Sequence, residues 1–347
     1  MTRQFLKKYY KNNKARGLSV IVVNIVIFIA FLSLCSCIGR GKAPNLKNKG
    51  EKQVKTSAVD TKPCFTPPAV PAAITDQNGR ADYLVLHWWD HFNFSDTACI
   101  NHADAAEQAF VDFINILTIT NEDKTAAAIR KLFTRAGQEK SGQMYRYFWK
   151  TAEKYLYDPN SPMRNEEQYE AVLEYIIADS TIDSLNKIRP VYQLEQINKN
   201  RVGMTAANFT YTLPDGKKGT LHGIKADYTL LYFYNPDCQD CQRTKEVLEH
   251  SPLIAEPVNS GKMKILAFYP DEGLAAWEAY RTAIPSEWIN ARDGSRELTV
   301  QKELYAVRAV PSIYLLDRNK KVILKDASVE QVTEILYKMA NGIQTGL

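Results

Sequence analysis

The sequence predicts two folded parts: an all-α N-terminal domain, and an α/β C-terminal domain with a mixed central sheet. Three observations carry this. Between residues 76 and 200, apolar residues recur at the three- and four-residue spacing of buried helix faces. From about Ala207 the period shortens to two, and the segments then read β–β–β–α–β–α and finally β–β–α, the alternation of an α/β fold. Between the run Leu230–Tyr234 and a helix-like segment from Gln242 to His250 stand two cysteines two residues apart, Cys238 and Cys241.

The chain opens with Arg3, Lys7, Lys8, Lys11, Lys14 and Arg16 and no acid. Leu18 to Leu34 is then apolar except for Ser19, Asn24 and Ser33, and it ends in Leu34-Cys35-Ser36-Cys37. This is the layout of a secretory signal. The ending resembles a bacterial lipobox, which implies a signal peptide over 1–36 and lipidation of Cys37. An uncleaved signal anchor is the alternative, because such a run almost spans a bilayer. Either reading places the rest of the chain outside the cytoplasm and tied to the lipid membrane, and several acyl chains on one cysteine anchor stably. No acidic run follows Cys37. Such a run resembles a surface-export signal of some Gram-negative lipoproteins, so the expected location is the cell envelope, facing the periplasm. Losing the six basic residues takes the formal net charge from +5 to about −1. Nucleic-acid binding is therefore not expected.

Residues 37–75 read as a flexible tether rich in Lys, Asn, Gly and Pro, without hydrophobic period. Four cysteines remain beyond Cys37, an even number that suits an oxidising compartment. Cys64 and Cys99 either form a structural disulfide at the start of the first domain or stay as two separate thiols. Spacing alone does not decide between these.

Within 76–200, Asp104–Ile119, Lys124–Ala136, Tyr145–Tyr157 and Glu166–Ile177 each carry an apolar face, and five or six helices are expected. Within 201–347, Asn208–Leu213 alternates as a strand, and Asp215-Gly216 marks a hairpin turn. Leu230–Tyr234, Lys264–Tyr269, Ser312–Leu316 and Val322–Leu324 read as strands. Leu274–Ile284, Arg296–Val307 and Val329–Ala340 read as helices.

A thiol at a helix N-terminus is stabilised as thiolate, and a second thiol one turn on can attack a mixed disulfide. Cys238 is therefore expected to attack and Cys241 to resolve. Half of a zinc site is the competing reading, but no second ligand pair follows at suitable spacing. His87 and His91, four apart on an expected helix, lack a third ligand and are read as packing with a solvated edge. No glycine-rich phosphate loop is present, so no cofactor and no metal are expected.

With Val310-Pro311 ahead of a strand and Phe233–Cys241 as a strand-to-helix turn, residues 201–347 resemble the thioredoxin superfamily, and within it the TlpA/ResA-like thiol-disulfide oxidoreductases. The resemblance implies that Pro311 is cis and faces the cysteines, where its neighbour's backbone can pair with a substrate strand. Trp277, Trp288 and Tyr305 fall where that subgroup has aromatics, and core packing accounts for them. The helical part, through Tyr83, Trp88, Trp89, Phe92 and Phe94-Ser95-Asp96, is similar to a domain of unknown function that precedes thioredoxin-like domains in Bacteroides-type lipoproteins.

The chain departs from the superfamily in three respects. Tyr232 occupies the position, six residues before the first cysteine, where many members bury an acid to relay the proton of the second thiol. Gln239-Asp240 replaces the usual residues between the cysteines. Asn235 stands where peroxiredoxins carry Thr or Ser. Asp237 and Asp240 disfavour a thiolate at Cys238 and so lower the reduction potential. The implied role is a periplasmic, membrane-anchored thiol-disulfide oxidoreductase on the reductase or isomerase side. Its partners would be thiols or disulfides of exported proteins, with a membrane electron donor if it reduces. A scaffold or ligand-binding lipoprotein with a non-catalytic thioredoxin-fold module is the alternative.

Overall fold

The computed structural model describes residues 64–101, 103–294, 298 and 301–343. The leader, Cys37 and most of the tether lie outside the described residues. Among those described, no helix is long and apolar enough to cross a membrane. They belong to one compact unit, Lys62–Leu347.

The helical part runs α1 (Gln77–His87), α2 (Ala98–Asn101), α3 (Ala103–Leu117), α4 (Glu122–Ala136), α5 (Gln143–Ala152), α6 (Glu166–Ala178) and α7 (Ser184–Asn198). The starts are set by side-chain caps: Asp76, Asn121, Asn165 and Asp183 each accept a first-turn backbone N–H. α5 continues into a π-helical turn, Glu153–Tyr157. The core is aromatic. Trp89 is its hub, with ring centroids 5.0 Å from Phe148, 5.5 Å from Phe92 and 5.6 Å from Phe113. Burying each such ring stabilises by ~1.5–3 kcal/mol. Cys64 and Cys99 are paired as a disulfide with Cα atoms 5.4 Å apart.

The second part carries β1 (Thr210–Thr212), β2 (Lys218–Thr220), β3 (Tyr228–Phe233), α8 (Gln239–His250), α9 (Pro252–Asn259), β4 (Met263–Tyr269), α10 (Leu274–Tyr280), β5 (Ile289–Arg292), β6 (Ser312–Asp317), β7 (Val322–Leu324) and α11 (Val329–Ala340). The seven strands form one mixed sheet in the order β2-β1-β5-β4-β3-β6-β7. β3 lies parallel to β4 and antiparallel to β6, and β4 lies parallel to β5. The central strands are near-continuous apolar runs because both sheet faces are covered. Successive residues take opposite faces. Leu230, Tyr232, Ile265 and Ile313 pack with residues of α8, α9 and α11, whereas Leu231, Phe233, Leu266 and Tyr314 pack with Phe209 and Tyr305. In the β1–β2 hairpin turn Gly216 has φ +81°, a left-handed conformation that favours glycine.

Three sequence expectations change. In the segment Arg296–Val307, Leu298 and Gln301 are π-helical, whereas residues 303–307 are irregular and Glu303 has φ +44°. Their apolar spacing serves packing of Leu304, Tyr305 and Val307 against one sheet face rather than a helix. β5 and α9 were not expected: β5 is four residues long with a single fully buried position, and α9 contains Pro257. α7 contains Pro190, and its Leu185 and Ile188 are exposed, which inverts the pattern by which a helix is read.

Candidate active site

β3 delivers the chain to the top of the sheet at Phe233. Beyond it, Asn235 organises the turn: its side chain accepts from the Asp237 N–H at 2.9 Å and donates to Asp271 at 2.8 Å, and its carbonyl accepts from the Cys238 N–H at 3.1 Å. Cys238 is the N-cap of α8, and its Sγ accepts the Cys241 N–H at 3.0 Å. A sulfur in that place faces the positive end of the helix dipole, the arrangement that favours thiolate. Cys238 is half-buried and Cys241 is 2% exposed. The two sulfurs are joined as a disulfide, with Cα atoms 5.2 Å apart.

β6 completes the site. It pairs with β3 in a register that sets Ser312 opposite Phe233, so Pro311 lies beside the turn that carries the cysteines. The Val310–Pro311 peptide bond is cis, and the Val310 carbonyl oxygen lies 3.6 Å from Cys238 Sγ. Cys238, Cys241 and Pro311, separated by up to seventy-three positions, thus meet at one sheet end.

The flanking groups divide. Asp237, Gln239 and Asp240 are exposed. Arg243 pairs with Asp240 one turn on, so Asp240's charge is offset close at hand. Lys245 instead donates to the Ala283 carbonyl at 3.0 Å and lies 3.8 Å from Glu249. Opposition to the thiolate therefore falls mainly on Asp237. Tyr232 is buried; its hydroxyl donates to the Cys241 carbonyl at 2.6 Å, and its ring stacks on Tyr234 at 5.7 Å. Burial raises its phenol well above the ordinary value, so at neutral pH it keeps its proton and cannot accept one from Cys241. It ties the first turn of α8 to the sheet instead.

Trp277 and Trp288 are buried beneath this end: the Trp277 indole donates to Asn290 at 3.1 Å, and Trp288 meets Tyr232 edge-on at 6.3 Å. Tyr305 lies on the opposite face, and its hydroxyl donates to the Ala207 carbonyl at 2.8 Å. α1 ends at His87, so His91 is not on a helix with it; His91 is exposed, and His87 Nδ1 contacts Asp90 at 2.7 Å. Among the described residues, no group of three or more His, Cys, Asp or Glu is arranged to hold a metal.

Residues 43–200 match the family model described as a domain of unknown function (DUF5106), which begins inside the stretch read as a tether. The crystal structure of a thioredoxin-like protein from Bacteroides caccae is 42% identical, covers 80% of this chain and 99% of its own, and superposes with a TM-score of 0.76. The chain belongs to the thioredoxin-like proteins. In this thioredoxin-like protein the DUF5106 domain precedes the sheet that carries the cysteines. The C-terminal domain of an uncharacterized protein from Bacteroides fragilis is 45% identical over 40% of this chain and 97% of its own, with a TM-score of 0.39. A domain of a possible thiol-disulfide isomerase from Cytophaga hutchinsonii is 24% identical over 42% and 97%, with a TM-score of 0.36. No curated protein matches the chain.

Sequence reasoning did not single out Arg308 or Asp326, which fasten the Val310–Pro311 loop through hydrogen bonds, one of them an ion pair to Glu166. Their partners Tyr157, Glu166 and Arg164 lie more than 140 positions away, and no local signal marks them.

Proposed function

We propose that this thioredoxin-like protein is a membrane-anchored thiol-disulfide oxidoreductase of the cell envelope. It exchanges electrons with exported proteins through Cys238 and Cys241. The observation that carries the reading is the Cys238 sulfur at the N-cap of α8, accepting a backbone N–H, with the cis Val310–Pro311 bond beside it. In the reducing direction the Cys238 thiolate attacks a substrate disulfide. One substrate sulfur leaves as thiolate and takes a proton, and the other joins Cys238. The Cys241 thiolate then attacks Cys238 and expels the second substrate sulfur, which is protonated in turn. The enzyme dithiol becomes a disulfide, and one substrate disulfide becomes two thiols.

Cys37, as the lipidated residue, supplies the membrane tether in this reading. The Asp237 charge tilts the pair towards reduction or isomerisation, and a membrane electron donor would restore the dithiol. Replacing Cys241 by Ser removes the resolving step, so cells expressing the variant should accumulate mixed disulfides through Cys238. A variant that traps no protein supports a scaffold role and refutes the oxidoreductase reading. A reduction potential around −120 mV, at the oxidising end of the superfamily, refutes the direction.

A further inference from the structure

We propose that the helical part holds the loop Ala309–Pro311 in its working position, and that Arg308 is the positioning residue through which it does so. This rests on the redox reading above. Arg308 lies two residues before Val310. Its guanidinium donates to the Tyr157 carbonyl at 2.5 Å and to the Glu166 carboxylate, and it lies 4.1 Å over the Tyr157 ring. The other Glu166 oxygen receives Lys325 Nζ at 2.8 Å. On the far side of the loop, Ser312 Oγ donates to the Asp326 carboxylate, and Arg164 donates to the Asp326 carbonyl at 2.6 Å. Both flanks of the loop are thus fastened to the helical part, one directly and one through Asp326.

These contacts are sheltered. The side chains of Arg308, Glu166 and Lys325 are 15%, 17% and 7% exposed. Charge-assisted hydrogen bonds in such surroundings are short and directional, and an Arg fork fixes orientation as well as distance. Between the two fastenings lies the Val310 backbone, whose carbonyl oxygen sits 3.6 Å from Cys238 Sγ. A substrate strand pairing with that backbone places its disulfide relative to Cys238. The clamp therefore sets the attack geometry, and a misplacement of about 1 Å is worth about a hundredfold in rate. The helical domain, on this account, is part of the exchange apparatus and not only a spacer from the membrane.

The test uses the mature chain with Arg308→Met, which keeps the stem and removes the fork. The expected result is a fall of about tenfold in kcat/KM for a peptide disulfide, equivalent to ~1.4 kcal/mol, carried mainly by kcat. The rate and pH profile of Cys238 alkylation by iodoacetamide should stay unchanged, which a general loosening of the fold would not allow. Arg308→Lys, which keeps charge without the fork, should recover part of the loss. Should Arg308→Met fail to fold, Glu166→Gln loosens the same clamp from the helical side and should act in the same direction. Folded variants with wild-type kcat/KM, or with alkylation slowed equally, overturn the proposal. Backbone 15N order parameters at Ala309 and Val310 read the clamp without reference to activity. They should fall in the variants. Unchanged order parameters overturn the clamp. A wild-type protein inert towards peptide disulfides, with order parameters lowered in the variants, overturns the redox reading instead and leaves the clamp standing.

Discussion

Removing the Cys64–Cys99 disulfide should destabilise the helical part by several kcal/mol. The bond closes a separation of 35 residues. Within that loop lie α1 and the side chains of Trp88, Trp89, Phe92 and Phe94, the aromatic centre of the helical core. The bond also keeps Phe65 against that centre, with ring centroids 5.3 Å from Trp88 and 5.8 Å from Trp89. Loop-closure entropy of about 2.1 + 1.5R ln 35 cal/mol/K amounts to about 3.8 kcal/mol at 25 °C. Cys99 is fully buried, so alanine rather than serine is the substitution that avoids burying a hydroxyl. The assay is urea unfolding of the mature protein and of Cys64→Ala/Cys99→Ala, followed by tryptophan fluorescence with Cys238 and Cys241 left intact. With a slope of ~1–3 kcal/mol/M, the midpoint should fall by at least about 1 M. A loss below about 1 kcal/mol, with the bond shown intact in the wild type by mass spectrometry, refutes the loop-entropy account.

Three further outcomes follow from the site and its support. Tyr232→Phe removes the hydroxyl that donates to the Cys241 carbonyl and should cost ~1 kcal/mol of stability. The pH profile of the resolving step should not move, because the buried phenol does not titrate in the working range; a displaced limb in that profile would show otherwise. Asp237→Asn should raise the reduction potential, on the order of 10 mV in glutathione equilibration, and Asp240→Asn should raise it less, since Arg243 already pairs with Asp240. The opposite ranking contradicts this division of charge. Hydrogen bonds from Lys154 and Tyr155 hold the Glu107 carboxyl below its usual value of 4.5. Its folded pKa is thus below its unfolded one, so its contribution is complete above about pH 4.5 and is lost as pH falls through the folded pKa. Glu107→Gln should therefore cost at most ~1 kcal/mol at pH 7 and almost nothing at pH 2, and an equal cost at both would be inconsistent with the shift.

Much of the fold was legible because its elements carry strong periodic signals. β3, β4 and β6 are buried on both faces and read as unbroken apolar runs. α4, α6 and α11 place apolar residues on one face behind good caps. β5 escaped notice because it is four residues long, and α7 because Pro190 interrupts it and part of its apolar surface faces solvent. Residues 303–307 misled because side chains packing onto a sheet from an irregular stretch can mimic helical spacing. At the site, the sequence placed Cys238 and Cys241 at the start of a helix behind a strand, and Tyr232 inside that strand, where the structure has them. The pairing of Arg243 with Asp240 is a three-residue spacing on one helix, but the destination of the Tyr232 hydroxyl and the reach of Lys245 to the Ala283 carbonyl depended on packing that no local pattern encodes.

By itself the sequence determined the placing of Cys238 and Cys241 between a strand and a helix, much of the alternation of strands and helices and the aromatic make-up of the helical core, since each is written in spacing over a few turns or strands. Only the tertiary structure decided what surrounds the pair. It brought Val310 to Cys238 across a sheet register, and it fastened the loop before β6 to Tyr157 and Glu166 of the helical part. The reason is physical. Backbone period and local capping depend on near neighbours along the chain, whereas contacts between groups 72 to 151 residues apart depend on how whole elements pack.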